Sequence, residues 1–377
     1  MKILENVSLA ELTTFKIGGP ARYFCAITNV EELKEALDFA KSPAHSLPIF
    51  ILGGGSNILV SDKGFAGLVI KMEIRGTDVA GGKKEFAKKN GGEKADKKNE
   101  DETSQFVEIT AGAGEIWDDL VAFTVRRGLG GLENLSLIPG TVGAAPVQNI
   151  GAYGAEVKDT ISAVEVFNIE TGEVRNMKNA ECRFSYRDSI FKKPEGKKYI
   201  ITRVTFRLSK KLALKTDYKD VANYLKTQQI SLGELDLKKV REIVIAIRRA
   251  KLPDVSKSSQ NKIGTAGSFF KNPIVSGAKY QELKKLYPDM PHFLPNPSRS
   301  QNGQEKVKIP AAWLLDKLCG FKGYRDESVG VYENQALVLV NFGGASAANV
   351  MTLAKKMADD VFEKTGIKLE REVRVVR

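Results

Sequence analysis

The sequence predicts a mixed α/β protein with more than one domain, and three observations support this. The chain has 377 residues, 42% of them hydrophobic, whereas a single core stops growing at roughly 250–300 residues. Short apolar runs of strand character alternate with segments of helical periodicity. Glycine-rich stretches interrupt these segments at residues 53–55 and 128–154. We therefore expect at least two packed units that contain both helices and strands.

The first unit is predicted from residues 30–74. Residues 30–40 read as a helix because apolar side chains recur at helical spacing, at Leu33, Ala36, Leu37 and Ala40. Residues 48–61 read as a strand, a glycine turn and a second strand, and residues 67–74 as a further strand. A second unit follows, with strands at 106–110, 163–167 and 199–206 and a helix at about 115–127.

The composition changes abruptly at residues 76–105, which are rich in lysine, acidic residues and glycine. Val79 and Phe86 are almost the only large apolar side chains there. Such a segment buries too little apolar surface to offset its ordering entropy. We expect a mobile hairpin insertion between two strands.

The C-terminal part follows a charged linker at 209–218. One helix is predicted to end before Pro253, with the apolar stripe Leu237, Val240, Val244 and Ile247. A later helix is predicted between the cap residue Ser346 and the stop residue Gly366, with the stripe Val350, Ala354, Met357, Val361 and Phe362. The last strand alternates apolar and polar side chains: Ile367, Leu369, Val373 and Val375 on one face, and Lys368, Glu370, Glu372 and Arg374 on the other.

Composition also narrows the function. The formal net charge is +12, which favours acidic partners. The basic residues are spread along the chain without interleaved aromatics, so small phosphorylated molecules are favoured over nucleic acid. Neither a signal peptide nor a membrane span is apparent, so we expect a cytoplasmic protein. Three scattered cysteines and two histidines predict neither disulfides nor a metal site.

The two glycine stretches differ in what they indicate. Gly53, Gly54 and Gly55, followed by Ser56 and Asn57, can form an anion-binding nest or a simple strand-to-strand turn. They match neither G-x-G-x-x-G nor a Walker A sequence. Residues 137–154, LIPGTVGAAPVQNIGAYG, predict irregular backbone packed against something large and flat, as a flavin and its pyrophosphate require.

These two stretches are similar to the flavin-binding half of the UDP-N-acetylenolpyruvoylglucosamine reductases. Three further motifs strengthen the resemblance, in the order in which that family has them: CRFSYRDSIFK at 182–192, RRAKLPD at 248–254 and AGSFFKNP at 266–273. The resemblance covers nearly the whole chain outside residues 76–105. The segment KTDY at 215–218 also looks like the tyrosine-bearing loop of the longer subtype of this family.

The resemblance implies a vanillyl-alcohol-oxidase-like FAD-binding domain in two α/β subdomains, at 1–75 and 106–210. It further implies an α+β substrate-binding domain at 211–366 and a C-terminal strand at 367–377. NADPH would supply hydride through FAD to UDP-N-acetylglucosamine enolpyruvate. The cofactor-binding residues implied are Gly53, Gly54, Gly55, Ser56, Asn57, Pro139, Gly140, Gly143, Ala144, Gln148, Asn149, Gly151, Ala152, Tyr153 and Gly154.

The chemistry of such a reduction defines the catalytic groups required. Hydride attack at the β-carbon of the enol ether places charge on the α-carbon and carboxylate, and a proton must then reach the α-carbon. The resemblance assigns the catalytic residues as Arg187, Ser268 and Glu372. From the residues alone, Arg187 could be paired with Asp188, Ser268 could cap a turn, and Glu372 could lie on a solvated edge.

The resemblance also places substrate contacts at Tyr218, Lys251, Asn272, Lys322 and Gln335, although each could equally be an ordinary surface or core residue. Lysines suit a pyrophosphate, and a tyrosine ring can stack on a base. The chain departs from the usual family pattern at Tyr332, where many relatives have a histidine.

Two alternative functions remain open from the sequence. One is a flavin oxidase of the same fold that acts on an alcohol. Such oxidases often tether the flavin through histidine, and neither His45 nor His292 lies in a flavin-binding segment, so a dissociable FAD is expected. The other is a basic nucleic-acid-binding protein.

We expect the protein to be a monomer.

Overall fold

The computed structural model of the chain describes residues 1–80, 105–255, 263–294 and 305–377. Most of the insertion expected at 76–105 therefore lies outside the described residues. The strands, in chain order, are β1 (Leu4–Ser8), β2 (Pro20–Ile27), β3 (Ile49–Leu52), β4 (Ile58–Val60), β5 (Phe65–Met72), β6 (Thr77–Val79), β7 (Phe106–Gly112), β8 (Gly151–Ala152), β9 (Ala155–Glu156), β10 (Ile161–Asn168), β11 (Val174–Lys178), β12 (Tyr199–Ser209), β13 (Ile274–Ser276), β14 (Lys306–Lys308), β15 (Arg325–Asp326), β16 (Val329–Val331), β17 (Leu339–Asn341) and β18 (Arg374–Val376). The helices are α1 (Val30–Lys41), α2 (Trp117–Arg126), α3 (Lys219–Thr227), α4 (Leu237–Lys251), α5 (Gly277–Leu286), α6 (Ala311–Trp313) and α7 (Ala347–Thr365).

The chain forms two compact units, each built from several segments. Unit 1 comprises Met1–Val7, Ala21–Gly54 and Ala66–Arg249, and unit 2 comprises Ser8–Pro20, Gly55–Phe65 and Ala250–Arg377. Helix α3 and nearly all of α4 thus belong to unit 1. The functional division into segments 1–75, 106–210, 211–366 and 367–377 stays a prediction.

Two sheets form the frame of unit 1. The first has the order β1-β2-β5-β3, in which β3 and β5 run parallel. The second is antiparallel, with the order β11-β10-β12-β7-β6. Its edge strand β6 falls within the segment expected to be an insertion. The buried Thr77 and an ion pair between Asp78 and Arg203 attach this strand to the sheet.

The helices of unit 1 that were predicted from periodicity are present. The four apolar positions of α1 are all buried, and the Asn29 side chain caps this helix by accepting the amide of Glu32. In α2, Trp117 is buried and its indole N–H donates to the carbonyl of Leu135 at 2.9 Å. The stripe predicted for α4 is buried as well, and α4 ends two residues before Pro253.

Helix α3 was not predicted from the sequence. Only Val221 and Leu225 are buried along it, and they belong to a small cluster with Ile243 and Ile247 of α4. Two apolar positions in a short lysine-containing segment are too weak a period to identify a helix. The contact with α4 therefore specifies α3 where local sequence does not.

A carboxylate joins α2 to α4 within unit 1. The guanidinium of Arg241 donates two hydrogen bonds to Asp118, at 2.7 and 2.9 Å, and the amide of Leu137 donates a third. Burial alone would raise the pKa of Asp118, but these hydrogen bonds and the neighbouring arginine charges together lower it. The pair should therefore stabilise the folded state at neutral pH.

We expect Asp118→Asn to lower the free energy of unfolding by about 1.5–3 kcal/mol at pH 7, the range for hydrogen bonds to charged groups. A carboxyl group whose pKa is lowered on folding stabilises the folded state above about pH 4. This contribution is lost as the pH falls through the lowered pKa. Urea unfolding of both proteins should therefore show a smaller difference at pH 3 than at pH 7. An equal difference at both pH values would contradict the ionic role of Asp118.

Unit 2 has a separate core with the adjacent rings of Phe269 and Phe270 among its buried residues. Its sheets are small: β15-β16-β17, the pair β13-β14, and the parallel pair β4-β18. Helix α7 is capped by Ser346, and Gly366 ends it with φ of +70°, as predicted. Four of the five residues of its predicted stripe are buried, but Phe362 is 47% exposed and the prediction for it was wrong. Phe362 lies at the solvent edge of the stripe, where Lys368 covers its ring.

The predicted final strand is shorter than the alternation indicated. Only Arg374–Val376 is a strand, and Val376 is buried instead of Val375. Residues 366–370 have no regular structure, and Arg371 forms an isolated bridge with Phe270. Glu372 therefore precedes the strand, and a local contact with the Phe270 segment interrupts the period of two.

Across the described ranges, no helix has the length and apolar content needed to cross a membrane.

Candidate active site

The two predicted glycine stretches meet in unit 1. A Cβ atom on Gly54 would lie 2.6 Å from the Cα of Gly140, and one on Gly53 would lie 2.7 Å from the Oγ1 of Thr141. Both distances are too short for a side chain. The end of β3 and the start of residues 140–144 therefore approach each other backbone to backbone, which only glycine permits here.

A buried hydroxyl lies at this junction. Thr141 Oγ1 has no hydrogen-bond partner in the part of the chain that the structure describes. Leaving a buried hydroxyl unsatisfied costs free energy, so a partner such as a phosphate oxygen fits this position. Sequence reasoning missed Thr141. Its place between the glycines and prolines of the second stretch gave no indication that its hydroxyl is buried.

Other residues of the predicted cofactor set have structural uses. A Cβ on Gly143 would lie 2.5 Å from that of Ala113, so Gly143 permits close packing within unit 1. Gly55, in unit 2, has φ of +64° and lies against the carbonyl of Leu12. Asn57 is bound to the chain near the C-terminus, since its Nδ2 donates to the carbonyl of Glu372 at 3.3 Å.

The segment 148–154 surrounds the candidate catalytic arginine. Arg187 donates to the carbonyl of Gly151 at 2.6 Å and lies 3.5 Å from the carbonyl of Asn149. Its φ of +52° is left-handed, a strained conformation for a non-glycine residue. Asp188 is paired with Lys193 at 2.6 Å. The guanidinium of Arg187 is thus held against the predicted cofactor segment.

Asn149 itself is fully buried and supports this segment through its side chain. Its Nδ2 donates to the carbonyl of Ser185 at 3.0 Å, and its Oδ1 accepts the amide of Lys158 at 3.1 Å. The side chain therefore holds residues 149–151 next to the loop that carries Arg187. Its observed role is to organise the backbone.

Tyr218 is brought to the same part of unit 1. It immediately precedes α3, and its ring meets that of Tyr153 edge to face, with centroids 5.6 Å apart. Burial raises the pKa of Tyr218, Asp220 and Tyr186 raise it further, and the charge of Arg187 opposes them. Tyr218 is thus within electrostatic reach of Arg187, as a shared site requires.

Ser268 and Glu372 lie on neighbouring segments of unit 2. Ser268 forms an isolated β-bridge with Val338. The carbonyl oxygen of the next residue, Phe269, accepts a hydrogen bond from the amide of Glu372 at 2.8 Å. Both predicted residues are partly buried. Gly267, with φ of +75°, turns the chain immediately before Ser268. The serine is therefore presented by a fixed turn between two hydrogen-bonded segments.

Lys322 and Gln335 line one cavity of unit 2, with a volume of about 150 Å³. Trp313 and Lys317 also line it and were not predicted. The lining combines two lysines, two amides, an indole ring and the carboxylate of Asp316, which lies 3.8 Å from the Nζ of Lys317. Lys322 and the amides suit a phosphorylated ligand, and the indole ring suits a flat group. No motif in the sequence identified Trp313, because its place in the cavity depends on the tertiary fold.

Asn272 and Lys251 are predicted substrate residues that do not themselves line this cavity. Asn272 uses its Oδ1 to accept the amide of Ala311 at 2.9 Å, at the start of α6, and the next residue, Ala312, lines the cavity. Lys251 is the last residue of α4. Asn272 thus fixes one wall of the cavity through its acceptor.

Thiol and metal chemistry have little support in the described ranges. Burial raises the pKa of Cys25 to about 11 and those of Cys182 and Cys319 to about 12, so the thiols stay protonated near neutrality. No group of three or more histidine, cysteine or acidic side chains in these ranges could hold a metal ion.

Comparison with known proteins identifies the family. Residues 258–376 match the C-terminal domain of UDP-N-acetylenolpyruvoylglucosamine reductase, and residues 21–178 match an FAD binding domain. UDP-N-acetylenolpyruvoylglucosamine reductases from Flavobacterium johnsoniae and Ralstonia nicotianae are 42% and 41% identical to the chain, and each match covers 100% of both sequences.

A solved structure agrees with these sequence matches. The crystal structure of UDP-N-acetylenolpyruvylglucosamine reductase from Thermus caldophilus superimposes with a TM-score of 0.62 at 26% identity, over 100% of both chains. The predicted fold class, a vanillyl-alcohol-oxidase-like FAD-binding domain with a C-terminal α+β domain, is confirmed. The chain belongs to the UDP-N-acetylenolpyruvoylglucosamine reductase family.

Proposed function

We propose that this protein is an FAD-dependent oxidoreductase that uses NADPH to reduce UDP-N-acetylglucosamine enolpyruvate to UDP-N-acetylmuramate, a step of peptidoglycan precursor synthesis. Membership of the reductase family supports the reaction. One structural observation supports FAD binding independently of family membership. It is the close approach of Gly54 to Gly140 beside the buried, unsatisfied hydroxyl of Thr141.

These residues fit a flavin dinucleotide. Glycine backbone allows N–H groups to approach a pyrophosphate closely, and the Thr141 hydroxyl can donate to one of its oxygens. We assign the remaining cofactor contacts to the two predicted glycine stretches, 53–57 and 139–154. With no histidine in either stretch, FAD is held without a covalent bond.

Bound FAD supplies a two-electron carrier between NADPH and the substrate. We assign three residues of the chain to the chemistry at the enol ether. Hydride adds to the β-carbon, and the electron pair of the double bond moves toward the α-carbon and carboxylate. Arg187 stabilises this negative charge, the Ser268 hydroxyl donates the proton that completes the α-carbon, and Glu372 assists through a hydrogen bond.

The nucleotide sugar is assigned to residues that combine charge with an aromatic ring. Tyr218 packs against the nucleotide, Lys251 and Lys322 offset the pyrophosphate charge, and Asn272 and Gln335 donate hydrogen bonds. The cavity shared by Lys322 and Gln335 supports this assignment. We propose that the enzyme acts as a monomer in the cytoplasm.

Turnover in deuterated water tests the proposed reaction. NADPH oxidation should depend on the enolpyruvyl substrate, and the product should carry solvent-derived deuterium at the α-carbon, where the proton is delivered. The β-carbon receives the hydride that passes through the flavin, and because the nitrogen-bound hydrogen of a reduced flavin exchanges with water, deuterium would appear there as well. NADPH oxidation without any reduced sugar product would contradict the proposal. Flavin reduction by an alcohol, followed by oxidation with O2, would instead identify an oxidase of the same fold.

A further inference from the structure

The side chain of Asn134 joins two loops that are far apart in the sequence. Asn134 is 1% exposed, and its Nδ2 donates to the carbonyl oxygens of Tyr153 and Lys215, each at 2.8 Å. Both amide hydrogens are therefore used. Its Oδ1 has no hydrogen-bond partner in the part of the chain that the structure describes. The side chain thus donates two hydrogen bonds. An aspartate could not replace it, because its carboxylate would face two carbonyl oxygens.

The turn that carries Asn134 is itself fixed. Glu133 is buried, and its carboxylate accepts a hydrogen bond from the amide of Gly131 at 2.6 Å. The carbonyl of Leu135 accepts a hydrogen bond from the indole N–H of Trp117 at 2.9 Å. These contacts lie on either side of Asn134 in the sequence. The amide of Asn134 is therefore presented from a rigid support.

One of its two acceptors lies on the loop that leads to Tyr218. The Nζ of Lys215 pairs with Asp159 at 3.2 Å, so the same residue is attached through both its backbone and its side chain. Three residues later, Tyr218 is the N-cap residue that immediately precedes α3. Fixing Lys215 therefore restricts where the Tyr218 ring can lie.

The other acceptor belongs to Tyr153, the residue whose ring Tyr218 contacts. The Tyr153 hydroxyl lies within electrostatic reach of Arg248, whose Nε donates to the carbonyl of Leu137 at 3.2 Å. Burial raises the pKa of the Tyr153 hydroxyl to about 12, although Arg248 opposes this, so the hydroxyl stays protonated. Tyr153 is thus held at its backbone by Asn134, and its hydroxyl lies near the charge of Arg248.

We propose that Asn134 is a positioning residue that fixes the Tyr218 loop against Tyr153 and so preforms the surface that receives the nucleotide of the substrate. This inference rests on the proposed function, because it takes Tyr218 as a contact for the nucleotide sugar. Asn134 acts through Tyr218 and touches neither reacting carbon. Its effect therefore belongs to substrate binding and leaves the chemical step unchanged.

Asn134→Ala should raise KM for UDP-N-acetylglucosamine enolpyruvate by about 10-fold, the loss expected for two neutral hydrogen bonds. At saturating substrate, kcat should stay within about 3-fold of the wild-type value, since the loop order is recovered when substrate binds. Asn134→Asp should have at least as large an effect, because a carboxylate would face two carbonyl oxygens. Asn223→Ala, an exposed change in α3, is the matched control.

A double-mutant cycle with Tyr218→Ala separates positioning from general support of the fold. If Asn134 acts through Tyr218, Asn134→Ala should change KM by less than about 2-fold once Tyr218 is already alanine. Full additivity of the two effects would overturn the proposal, as would an unchanged KM in an Asn134→Ala enzyme that retains its FAD.

Two further measurements keep the test decisive. If the Asn134 variants do not fold, Lys215→Ala breaks the exposed pair with Asp159 and should raise KM about 2-fold, again only when Tyr218 is present. An unchanged KM in Lys215→Ala would then overturn the proposal.

Wild-type turnover is measured first: its absence would refute the proposed function, whereas normal turnover with an unaffected Asn134→Ala enzyme refutes only this inference.

Discussion

Ser268→Ala is expected to separate the two half-reactions of the enzyme. NADPH should still bleach the flavin band at close to the wild-type rate, because that step needs no proton on the substrate carbon. Reoxidation by the enolpyruvyl substrate should slow by roughly 10²–10⁴-fold, the usual contribution of a positioned proton donor. Rapid-mixing absorbance measures both rates in one preparation.

The structure makes this variant a specific test. Ser268 is attached to its neighbours through a backbone bridge with Val338, so removing the hydroxyl leaves the turn intact. Ser328→Ala, in a different cavity of unit 2, is the control. If both half-reactions of the Ser268→Ala enzyme kept their wild-type rates, Ser268 would be a structural turn residue and the proton would come from elsewhere.

Gly54→Ala is expected to remove most of the bound FAD. The new Cβ would lie 2.6 Å from the Cα of Gly140, and backbone on both sides cannot move aside easily. An overpacking cost of about 1–3 kcal/mol would weaken FAD binding by roughly 5–150-fold. The flavin content after dialysis and the Kd for added FAD measure the effect.

Gly233→Ala is the matched control, because a Cβ at that position meets nothing within 4 Å and neither glycine has a left-handed φ. It should retain wild-type flavin content. A Gly54→Ala protein that binds FAD as tightly as the control would show that the glycine junction does not form the cofactor site.

Local sequence was sufficient for elements whose signals are local. Helix α7 was predicted with its cap at Ser346 and its stop at Gly366, and both were confirmed. Helix α3 was missed because packing against α4 specifies it. The final strand was overestimated because alternation continues through residues 367–373, where contacts with the segment around Phe270 replace strand pairing.

The candidate site shows the same limit. The glycine stretches, Arg187 and Ser268 could be named from motifs. Thr141 and Asn134 could not, because the role of each depends on tertiary neighbours: Asn134 donates to a carbonyl 81 positions away. Arg187 was considered as a partner for Asp188, whereas Asp188 pairs with Lys193 and Arg187 donates to the carbonyl of Gly151.

Anaerobic mixing of the purified protein tests the central claim most directly. Addition of NADPH should bleach the flavin band, and later addition of UDP-N-acetylglucosamine enolpyruvate should restore it stoichiometrically while UDP-N-acetylmuramate forms. A flavin that NADPH does not reduce, or that stays reduced after the enolpyruvyl substrate is added, would contradict the assignment of this chain as the reductase.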